Sequence, residues 1–292
     1  MKDDIWVSII IVNFSTKELT ARCIQSIIDC SVKFSYEIIV VDNNSSDNSV
    51  EFLRKYFSNI TIISMAENLG FGSGNNFGVK VAKGRFILLL NSDTIFIADI
   101  LSSFIAFHLN SNVSNIGVLG SLMISEEFDI VHSFGNFPAI LRYGKKFDKQ
   151  RKESSIIREI ESNYYSRVDI VSGANMFMER ELFISLNGFD SNIFLYEEEL
   201  DLQYRMNLNN LYSFIINERG IIHLEGKSSS NYFKRKHSFI SLAYVVRKHM
   251  PFIIYMIHRI QWAIYAMIFF KNIKIGFNEK LKYLKLVLSK IS

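Results

Sequence analysis

Asn13, Asp42 and Asp93 each stand close behind an apolar run of the sequence. Apolar runs of this kind are typical of buried parallel strands, and the carboxyl ends of such strands meet at the ligand-binding edge of a sheet. A carboxylate at that edge can hold a divalent metal ion against a diphosphate, and side-chain amides can contact a nucleotide. The three strand ends therefore predict a nucleotide-sugar site.

A second group of acids, Glu197, Glu198, Glu199 and Asp201, opens an amphipathic segment. Acids in the first turn of a helix are stabilising because they face the positive end of the helix dipole, so this cluster has a purely structural interpretation. It also has a catalytic one. Like charges packed together raise the pKa of at least one carboxyl group, which suits a general base that takes a proton from a hydroxyl.

The glycine-rich stretch 70–74 precedes a segment with helical spacing. It contains no complete G-x-G-x-x-G motif, since Asn75 and Phe77 fill the third glycine position, and it follows the third predicted strand rather than the first. Both facts count against a dinucleotide-binding motif, and no P-loop sequence is present. We interpret Gly72 as a point of close backbone approach to a nucleotide, with Asn76 as a polar contact.

The elements that position these residues follow from hydrophobic spacing, which alternates between strand and helix periods over the first hundred residues. This alternation predicts a parallel wound sheet of the α/β class. The predicted strands are 7–12, 36–41, 60–64 and 86–90, and the predicted helices are 16–29, 47–57 and 73–82. Later strands are predicted at 117–122 and 169–179, with residues 124–167 between them as loops over a site.

Five segments, taken in order, resemble the inverting family-two glycosyltransferases of GT-A fold, and among them the bacterial rhamnosyltransferases. The segments are Ile10–Asn13, Val41–Asp47, Glu67–Gly78, Asn91–Asp93 and Tyr196–Asp201. The resemblance covers about residues 5–230 and includes a late segment, 222–228. It implies a GT-A-like mixed sheet flanked by helices and an inverting transfer of a hexosyl unit from a nucleotide-sugar donor.

The resemblance also implies roles for residues at the strand ends. Asp42 matches the acid that contacts the pyrimidine of the donor, with Asn13 and Asn44 as weaker candidates for the same pocket. Asn91 replaces the first acid of the family's Asp-x-Asp metal motif, so Asp93 is the expected ligand of Mn²⁺ or Mg²⁺. His223 matches a late histidine that completes the metal shell in several members, although a lone histidine is more often structural.

Glu198 and Glu199 match the family's catalytic pair, with Glu in place of the usual Asp at the base position. We assign the base to Glu199, with Glu198 as the rival. The resemblance implies transfer of L-rhamnose from dTDP-rhamnose to a lipid-linked saccharide in bacterial surface polysaccharide synthesis. The alternatives are transfer from UDP-hexose or UDP-N-acetylhexosamine, and a non-catalytic protein that binds nucleotide sugars.

Charge and composition divide the chain into a transferase region, 1–230, and a basic helical tail, 231–292. Residues 227–292 contain 13 Lys and Arg residues and one acid, a net charge of +12, whereas the whole chain carries +4. The neighbours of these cations are aromatic and apolar, which favours an anionic membrane surface over nucleic acid as the partner. The alternatives for the tail are a helical cap on the core and a homodimer contact.

The tail segment 250–270 is long enough to span a bilayer, but Arg259 lies near its centre, so we expect interfacial docking instead. The chain enters its first strand without a secretion signal, and Cys23 and Cys30 lie too far apart on one helix for a disulfide. We therefore expect a cytoplasmic protein that is peripheral on the cytoplasmic face of a bacterial inner membrane.

Overall fold

The computed structural model describes residues 5–142, 152–224 and 231–261, and a mixed sheet forms the centre of this part of the chain. The strands are β1 Val7–Asn13, β2 Tyr36–Asp42, β3 Thr61–Ser64, β4 Phe86–Asn91, β5 Thr94–Phe96, β6 Ile116–Ile124, β7 Phe134–Gly135, β8 Tyr165–Val168, β9 Ile170–Val171, β10 Asn175–Glu179 and β11 Tyr212–His223. The helices are α1 Lys17–Asp29, α2 Ser49–Tyr56, α3 Phe71–Val81, α4 Ile100–Asn110, α5 Glu153–Asn163, α6 Arg180–Ser185, α7 Glu198–Leu208 and α8 Asn231–His249, with a short 3₁₀ helix at Ala139–Arg142. Residues 252–261 are also helical.

Within the described ranges the main sheet has nine strands, in the order β3-β2-β1-β4-β10-β6-β11-β5, with β8 paired to β11. Strands β1 to β4 are mutually parallel where they pair. Strand β10 runs antiparallel to both β4 and β6, and β11 is parallel to β6 but antiparallel to β5 and β8. The predicted wound mixed sheet is therefore confirmed.

Apolar side chains cover both faces of this sheet. One buried cluster contains Ile9 of β1 and Phe104 of α4, and a second contains Ile10 of β1 and Val79 of α3. Neighbouring residues of β1 belong to different clusters because successive side chains of a strand point to opposite faces. The sheet is therefore enclosed by helices on both sides, and its polar groups are left at the strand ends.

The structure corrects two predictions for the second half of the chain. Residues 169–179, predicted as one strand, form β9 and β10, separated by a turn in which the amide of Asn175 donates to the carbonyl of Ser172 at 3.2 Å. The two halves of this apolar run join different sheets. Residues 124–167, predicted as loops, contain α5 and β8. Helix α5 buries only Ile156 and Ile160, a stripe too narrow to stand out in a polar segment.

Helix α8, which begins the predicted tail, packs against α7. Val246 of α8 and Tyr204 of α7 belong to one fully buried cluster. The side chains of Lys248 and His249 contact the carboxylate of Asp201 at 2.8 and 2.7 Å. This contact surface combines apolar packing with polar contacts to a buried carboxylate.

The rest of the predicted tail, residues 262–292, lies outside the described part of the chain, as does half of the predicted interfacial segment 250–270. Among the helices of the described ranges, none combines the length and the apolar character needed to cross a bilayer.

Candidate functional site

A cavity of about 530 Å³ opens at the carboxyl ends of β1 and β4. Its walls come from the segments that follow β1, β2 and β4, from the start of α3, from the residues before α7 and from α8. Its polar lining includes Asn43, Asn91, Ser92 and Asp93, and its aromatic lining includes Phe14, Phe71, Phe194, Tyr196 and Phe233. Apolar walls with a few polar groups are typical of sites that bind small molecules.

Asp93 and His223 come together through strand pairing. Strand β11 runs antiparallel to β5, and the register places His223 opposite Thr94, the residue after Asp93. Nε2 of His223 lies 3.3 Å from Oδ1 of Asp93, and each side chain is 12% exposed. Burial alone would raise the pKa of Asp93, but the hydrogen bond and charge of His223 bring that pKa below its usual value. The two predicted metal ligands are thus neighbours.

This pair fits a divalent metal ion that takes its remaining ligands from a substrate. Imidazole nitrogen is a donor that Mn²⁺ accepts, and Mg²⁺ is commonly held by one or two carboxylates together with substrate phosphates. Within residues 5–142, 152–224 and 231–261, no cluster of three or more His, Cys, Asp or Glu side chains could hold a metal ion. The protein would therefore supply Asp93 and His223, with Asn91 hydrogen-bonded to Asp93 beside them.

Asn13 and Asp42 form a buried network where β1 and β2 end. Nδ2 of Asn13 donates to Oδ1 of Asp42 at 2.7 Å, and the amide of Ser45 donates to Oδ2 of Asp42 at 3.0 Å. The hydroxyl of Thr20 donates to Oδ1 of Asn13 at 2.7 Å. Asp42 is only 2% exposed. These two predicted nucleotide-binding residues therefore fix the loop after β2, and neither is among the described residues that line the cavity.

Asn43 lines the cavity, whereas the predicted Asn44 does not. The side chain of Asn43 donates to the carbonyl of Gly70 at 2.9 Å and accepts from the amide of Leu69 at 3.2 Å. Asn44 is exposed and has a left-handed backbone with φ of 64°. The sequence offers no way to choose between adjacent asparagines, because the reversal of the chain after β2 decides which one faces inward.

Gly72 and Asn76 contact protein rather than the cavity, which differs from their predicted roles. A Cβ on Gly72 would lie 3.0 Å from Cβ of Phe189. Asn76 donates to the carbonyl of Phe189 at 2.8 Å and accepts from its amide at 3.0 Å, and it faces a separate surface depression. The glycine that lines the cavity is Gly70, where φ is 86° and a Cβ would lie 1.9 Å from the carbonyl oxygen of Phe194.

The predicted acids Glu198 and Glu199 begin α7 after a strained turn. Tyr196 and Glu197 have φ of 64° and 69°, a conformation that is uncommon for residues other than glycine. Glu198 is 4% exposed, and within the described residues its Oε2 atom has no hydrogen-bond partner. Burial and the neighbouring charge of Glu199 raise the pKa of Glu198 well above its usual value. Such a carboxyl group is favoured in its protonated form.

Glu199 does not line the cavity, but it lies near Gly173, as does one residue of the cavity wall. A Cβ built on Gly173 would be 3.8 Å from the Glu199 side chain and 3.7 Å from Cε1 of Phe71, a cavity-lining residue. Burial and the charge of Glu197 raise the pKa of Glu199 to about 7. A carboxyl group with this pKa exchanges protons at neutral pH, as a general base must.

Gln203 anchors the acid-bearing helix, and the sequence gives little sign of this role. Its Nε2 donates to the carbonyl of Val171 at 2.8 Å and to that of Glu199 at 3.2 Å. Its Oε1 accepts from the amide of Val171 and from the hydroxyl of Ser213. A buried amide with all of these bonds fixes α7 against two strands. The position of Gln203 four residues after Glu199 is the signal that places it on the same helical face.

The model of glycosyl transferase family 2 matches residues 8–185 of the sequence. The chain belongs to this family. The match confirms the resemblance to this family and includes the first four of the five ordered segments. This family 2 chain has three features near the carboxyl edge of its sheet. They are the cavity, the pair of Asp93 and His223, and the two acids with raised pKa values.

The relatives are glycosyltransferases with several different sugars. The rhamnosyltransferase WbbL of Escherichia coli K12 is 26% identical over 229 residues, which are 74% of this chain and 84% of that protein. A poly(ribitol-phosphate) beta-glucosyltransferase of Bacillus spizizenii is 35% identical over 92 residues, which are 30% of this chain and 14% of that protein. The UDP-Glc:alpha-D-GlcNAc-diphosphoundecaprenol beta-1,3-glucosyltransferase WfgD of Escherichia coli is 33% identical over 113 residues, 38% of this chain and 44% of that protein. The matches therefore span less than half the length of these two glucosyltransferases.

Solved structures of similar fold include residues 1–349 of TarS from S. aureus. The TM-score is 0.56 at 16% identity, over 97% of this chain and 71% of that chain. The same TarS segment in complex with UDP gives a TM-score of 0.55 at 16% identity. At this identity the likeness concerns the fold, and it confirms the predicted GT-A-like architecture.

Proposed function

We propose that this chain is an inverting, metal-dependent glycosyltransferase that moves a hexosyl unit from a nucleotide sugar to a hydroxyl of a lipid-linked saccharide. The observation that carries the proposal is the position of two pairs of side chains close to the residues that line one cavity. Asp93 with His223 offers ligands for a metal ion, and Glu198 with Glu199 offers a pair of carboxyl groups with raised pKa values, of which Glu199 lies near Gly173, as does the cavity-lining Phe71.

Glu199 is the general base of the proposed reaction. With a pKa of about 7, its carboxylate can take the proton of the acceptor hydroxyl at neutral pH. The hydroxyl oxygen attacks the anomeric carbon as the bond from that carbon to the diphosphate breaks, so the configuration inverts. Glu198, whose pKa is raised well above the usual value, keeps its proton and adds no negative charge beside the base.

The donor would lie between the metal ligands and the aromatic lining. Asp93 and His223 would hold Mn²⁺ or Mg²⁺, and the ion would supply positive charge to the leaving diphosphate. Phe14 is 51% exposed at the cavity and offers a face on which a base can stack. Each oxygen of Asp42 can accept a further hydrogen bond besides its internal one, so the proposed contact with a pyrimidine imide is compatible with the network.

The donor that we propose is dTDP-L-rhamnose, with UDP-hexose or UDP-N-acetylhexosamine as the second candidate. Support for rhamnose comes from WbbL, which matches along most of both chains. Support for a uridine donor comes from WfgD, whose name specifies UDP-Glc, and from the TarS complex with UDP. The same relative WfgD acts on a diphosphoundecaprenol-linked sugar, which supports a lipid-linked acceptor.

We further propose that the basic tail brings the enzyme to the anionic cytoplasmic face of a bacterial inner membrane. The support is the net charge of +12 on residues 227–292 among apolar and aromatic neighbours. A homodimer contact through the same segment is the second candidate.

A calorimetric binding screen tests the function. The probes are dTDP-rhamnose, UDP-glucose and UDP-N-acetylglucosamine, each with Mn²⁺, with Mg²⁺ and with a chelator, followed by an assay for release of the nucleoside diphosphate. We expect binding of one donor class that requires metal, together with turnover. Tight binding without any turnover would support the non-catalytic alternative, and equal binding in the chelator would contradict metal dependence. Asp129→Asn, at an exposed position, is the control for loss of a carboxylate.

A further inference from the structure

Helix α8 belongs to the region predicted as a membrane-binding tail, yet it contacts the turn that carries the catalytic acids. The hydroxyl of Ser238 donates to Oε1 of Glu197 at 2.5 Å, and the hydroxyl of Ser241 donates to the carbonyl of Leu195 at 2.8 Å. Ser241 is 4% exposed. One helix therefore holds the turn before α7 by two side-chain hydrogen bonds, one to a carboxylate and one to the backbone.

The turn that these serines hold is strained. Tyr196 and Glu197 both have positive φ, and residues in this region persist only where the surrounding structure enforces them. The acid pair Glu198 and Glu199 follows directly. A relaxation of the turn would rotate the start of α7, and a displacement of about 1 Å in a catalytic group can cost about 100-fold in rate.

Helix α8 also forms part of the cavity itself. Phe233 of α8 lines the cavity together with Phe194, and the ring of His237 lies 4.3 Å from the ring of Phe233 and 5.4 Å from that of Phe194. At its other end the helix is held to α7 by the contacts of Lys248 and His249 with Asp201. The helix is thus anchored at one end, lines the cavity at the other, and contacts the acid-bearing turn between them.

We propose that Ser238 and Ser241 are positioning residues, which act by holding the turn 195–197 and with it the acid pair. This inference rests on the proposed function for its kinetic consequences. Helix α8, the first helix of the predicted tail, would then contribute to catalysis by positioning the acid pair. Any role that the rest of the tail has at a membrane is additional.

The charges around the turn give Ser238 a measurable electrostatic effect. Burial raises the pKa of Glu197, and the Ser238 hydrogen bond and the positive charge of His132 oppose that rise. Without the Ser238 hydroxyl the pKa of Glu197 should rise further, which favours the protonated form and reduces its negative charge. Because the charge of Glu197 is one cause of the raised pKa of Glu199, the pKa of Glu199 should then fall. The negative charges of Glu199 and Glu197 in turn contribute, after burial, to the raised pKa of Glu198.

Kinetics of the full-length protein test the positioning role. The assay is metal-dependent release of nucleoside diphosphate from dTDP-rhamnose or UDP-glucose, whichever the wild type uses faster. We expect Ser241→Ala and Ser238→Ala each to lower kcat about tenfold or more with little change in donor KM. Ser238→Thr, which keeps a hydroxyl, should restore most of the activity. The control is Ser162→Ala, which removes an exposed hydrogen bond from a serine hydroxyl to the carbonyl of Arg158, within helix α5.

A titration separates this inference from the proposed function. The carboxyl ¹³C signal of Glu199 can be assigned by its loss in Glu199→Gln. Its titration midpoint should lie at lower pH in Ser238→Ala than in the wild type, and in Ser238→Thr it should lie close to that of the wild type. Unchanged titration and unchanged kcat in both alanine variants would overturn the positioning role. If the wild type released no nucleotide from any donor, the proposed function would fail, and the titration would still decide whether α8 controls the acid pair.

Discussion

Nε2 of His223 lies 3.3 Å from Oδ1 of Asp93, although Asp93 follows the fourth strand and His223 ends the eleventh. The register of β11 on β5 creates this proximity. Asp93 would be a lone strand-end carboxylate without that pairing. With it, the carboxylate that lines the cavity has an imidazole beside it.

The first prediction concerns Asp93. Asp93→Ala should abolish the part of donor binding that depends on Mn²⁺, because the carboxylate of the proposed metal site is lost. Calorimetry with and without the metal measures this. Circular dichroism should show an intact fold, since the residue lies at a strand end. A variant whose Mn²⁺-dependent affinity equals that of the wild type would remove Asp93 from the metal site.

The second prediction concerns the base. Glu199→Gln should bind donor normally and lose about 10²- to 10⁴-fold in turnover, the range typical of a removed acid-base group. Glu198→Gln should lose less, because Glu198 is proposed to be protonated already. A dead Glu198 variant beside an active Glu199 variant would reverse the assignment.

The same assignment predicts the pH dependence of the wild type. The base must be ionised to accept a proton, and the pKa of Glu199 is about 7. The value of kcat/KM should therefore rise with pH through about 7 and level off above it. A rate that is flat from pH 5 to 8 would show that a different group, or none, titrates in the rate-determining step.

The third prediction concerns Asp201, whose side chain has 0% exposure and pairs with Arg205, Lys248 and His249. Asp201→Asn should lower the free energy of unfolding by about 3 kcal/mol at neutral pH, because it removes the buried carboxylate with which Arg205 and Lys248 pair. Burial opposes ionisation of Asp201, but its partners, first His249 and Lys248, bring its pKa well below the usual value.

The pH dependence of that deficit follows from the lowered pKa. A group whose pKa falls on folding contributes stability above its unfolded value, about 3.9 for aspartate, and loses it as the pH drops toward the folded value. The difference in urea midpoint between wild type and Asp201→Asn should therefore be constant at neutral pH and shrink below about pH 4. A difference in urea midpoint that grows as the pH falls would contradict the ionised state of Asp201 at neutral pH.

The fourth prediction compares two glycines. Gly70→Ala should destabilise the protein and impair donor binding, because φ is 86° and the new Cβ would lie 1.9 Å from the carbonyl oxygen of Phe194. Gly135→Ala is the matched control, since nothing lies within 4 Å of a Cβ at that position. Thermal unfolding and calorimetry measure both effects. Equal melting temperatures for the two variants would show that the Gly70 turn adapts.

The fifth prediction concerns the tail. Lys282→Glu/Lys285→Glu, at positions outside the described residues, should reduce sedimentation of the protein with anionic vesicles at low salt, because it removes positive charge from the proposed docking segment. Lys33→Glu/Lys83→Glu makes the same change in net charge at exposed positions outside the tail. Loss of binding in both double variants alike would indicate an effect of overall charge and not of the tail.

Much of the first half of the fold could be predicted from the sequence because its strands are uniform apolar runs. Residues 86–90 are all apolar, as expected of a strand that is covered by helices on both faces. The strand in the structure is longer by one residue, Asn91. In contrast, the division between β9 and β10 depends on a turn at Ser172, where the chain leaves one sheet for another. Local spacing contains no information about which sheet a strand joins.

The candidate site was only partly predictable for a similar reason. Asp93 could be identified because it follows an apolar strand, and the acids of α7 because they are clustered and match a motif of the family. Asn43 and Gln203 could not, since their importance arises from contacts with the chain at Gly70 and Val171. Asn76 is the opposite case. The sequence predicts a nucleotide contact for this polar residue beside a glycine-rich stretch, but its side chain binds the backbone of Phe189.

The pairing of β5 with β11 also has a consequence for how the enzyme is made. Strand β4 lies next to β10, and β5 next to β11, so the strands that flank Asp93 have neighbours from far along the chain. Such long-range pairs form late in folding, because distant segments must first be brought together. During synthesis the pair of Asp93 and His223 therefore cannot form until His223 has left the ribosome, and a chain interrupted before β11 lacks the proposed metal site.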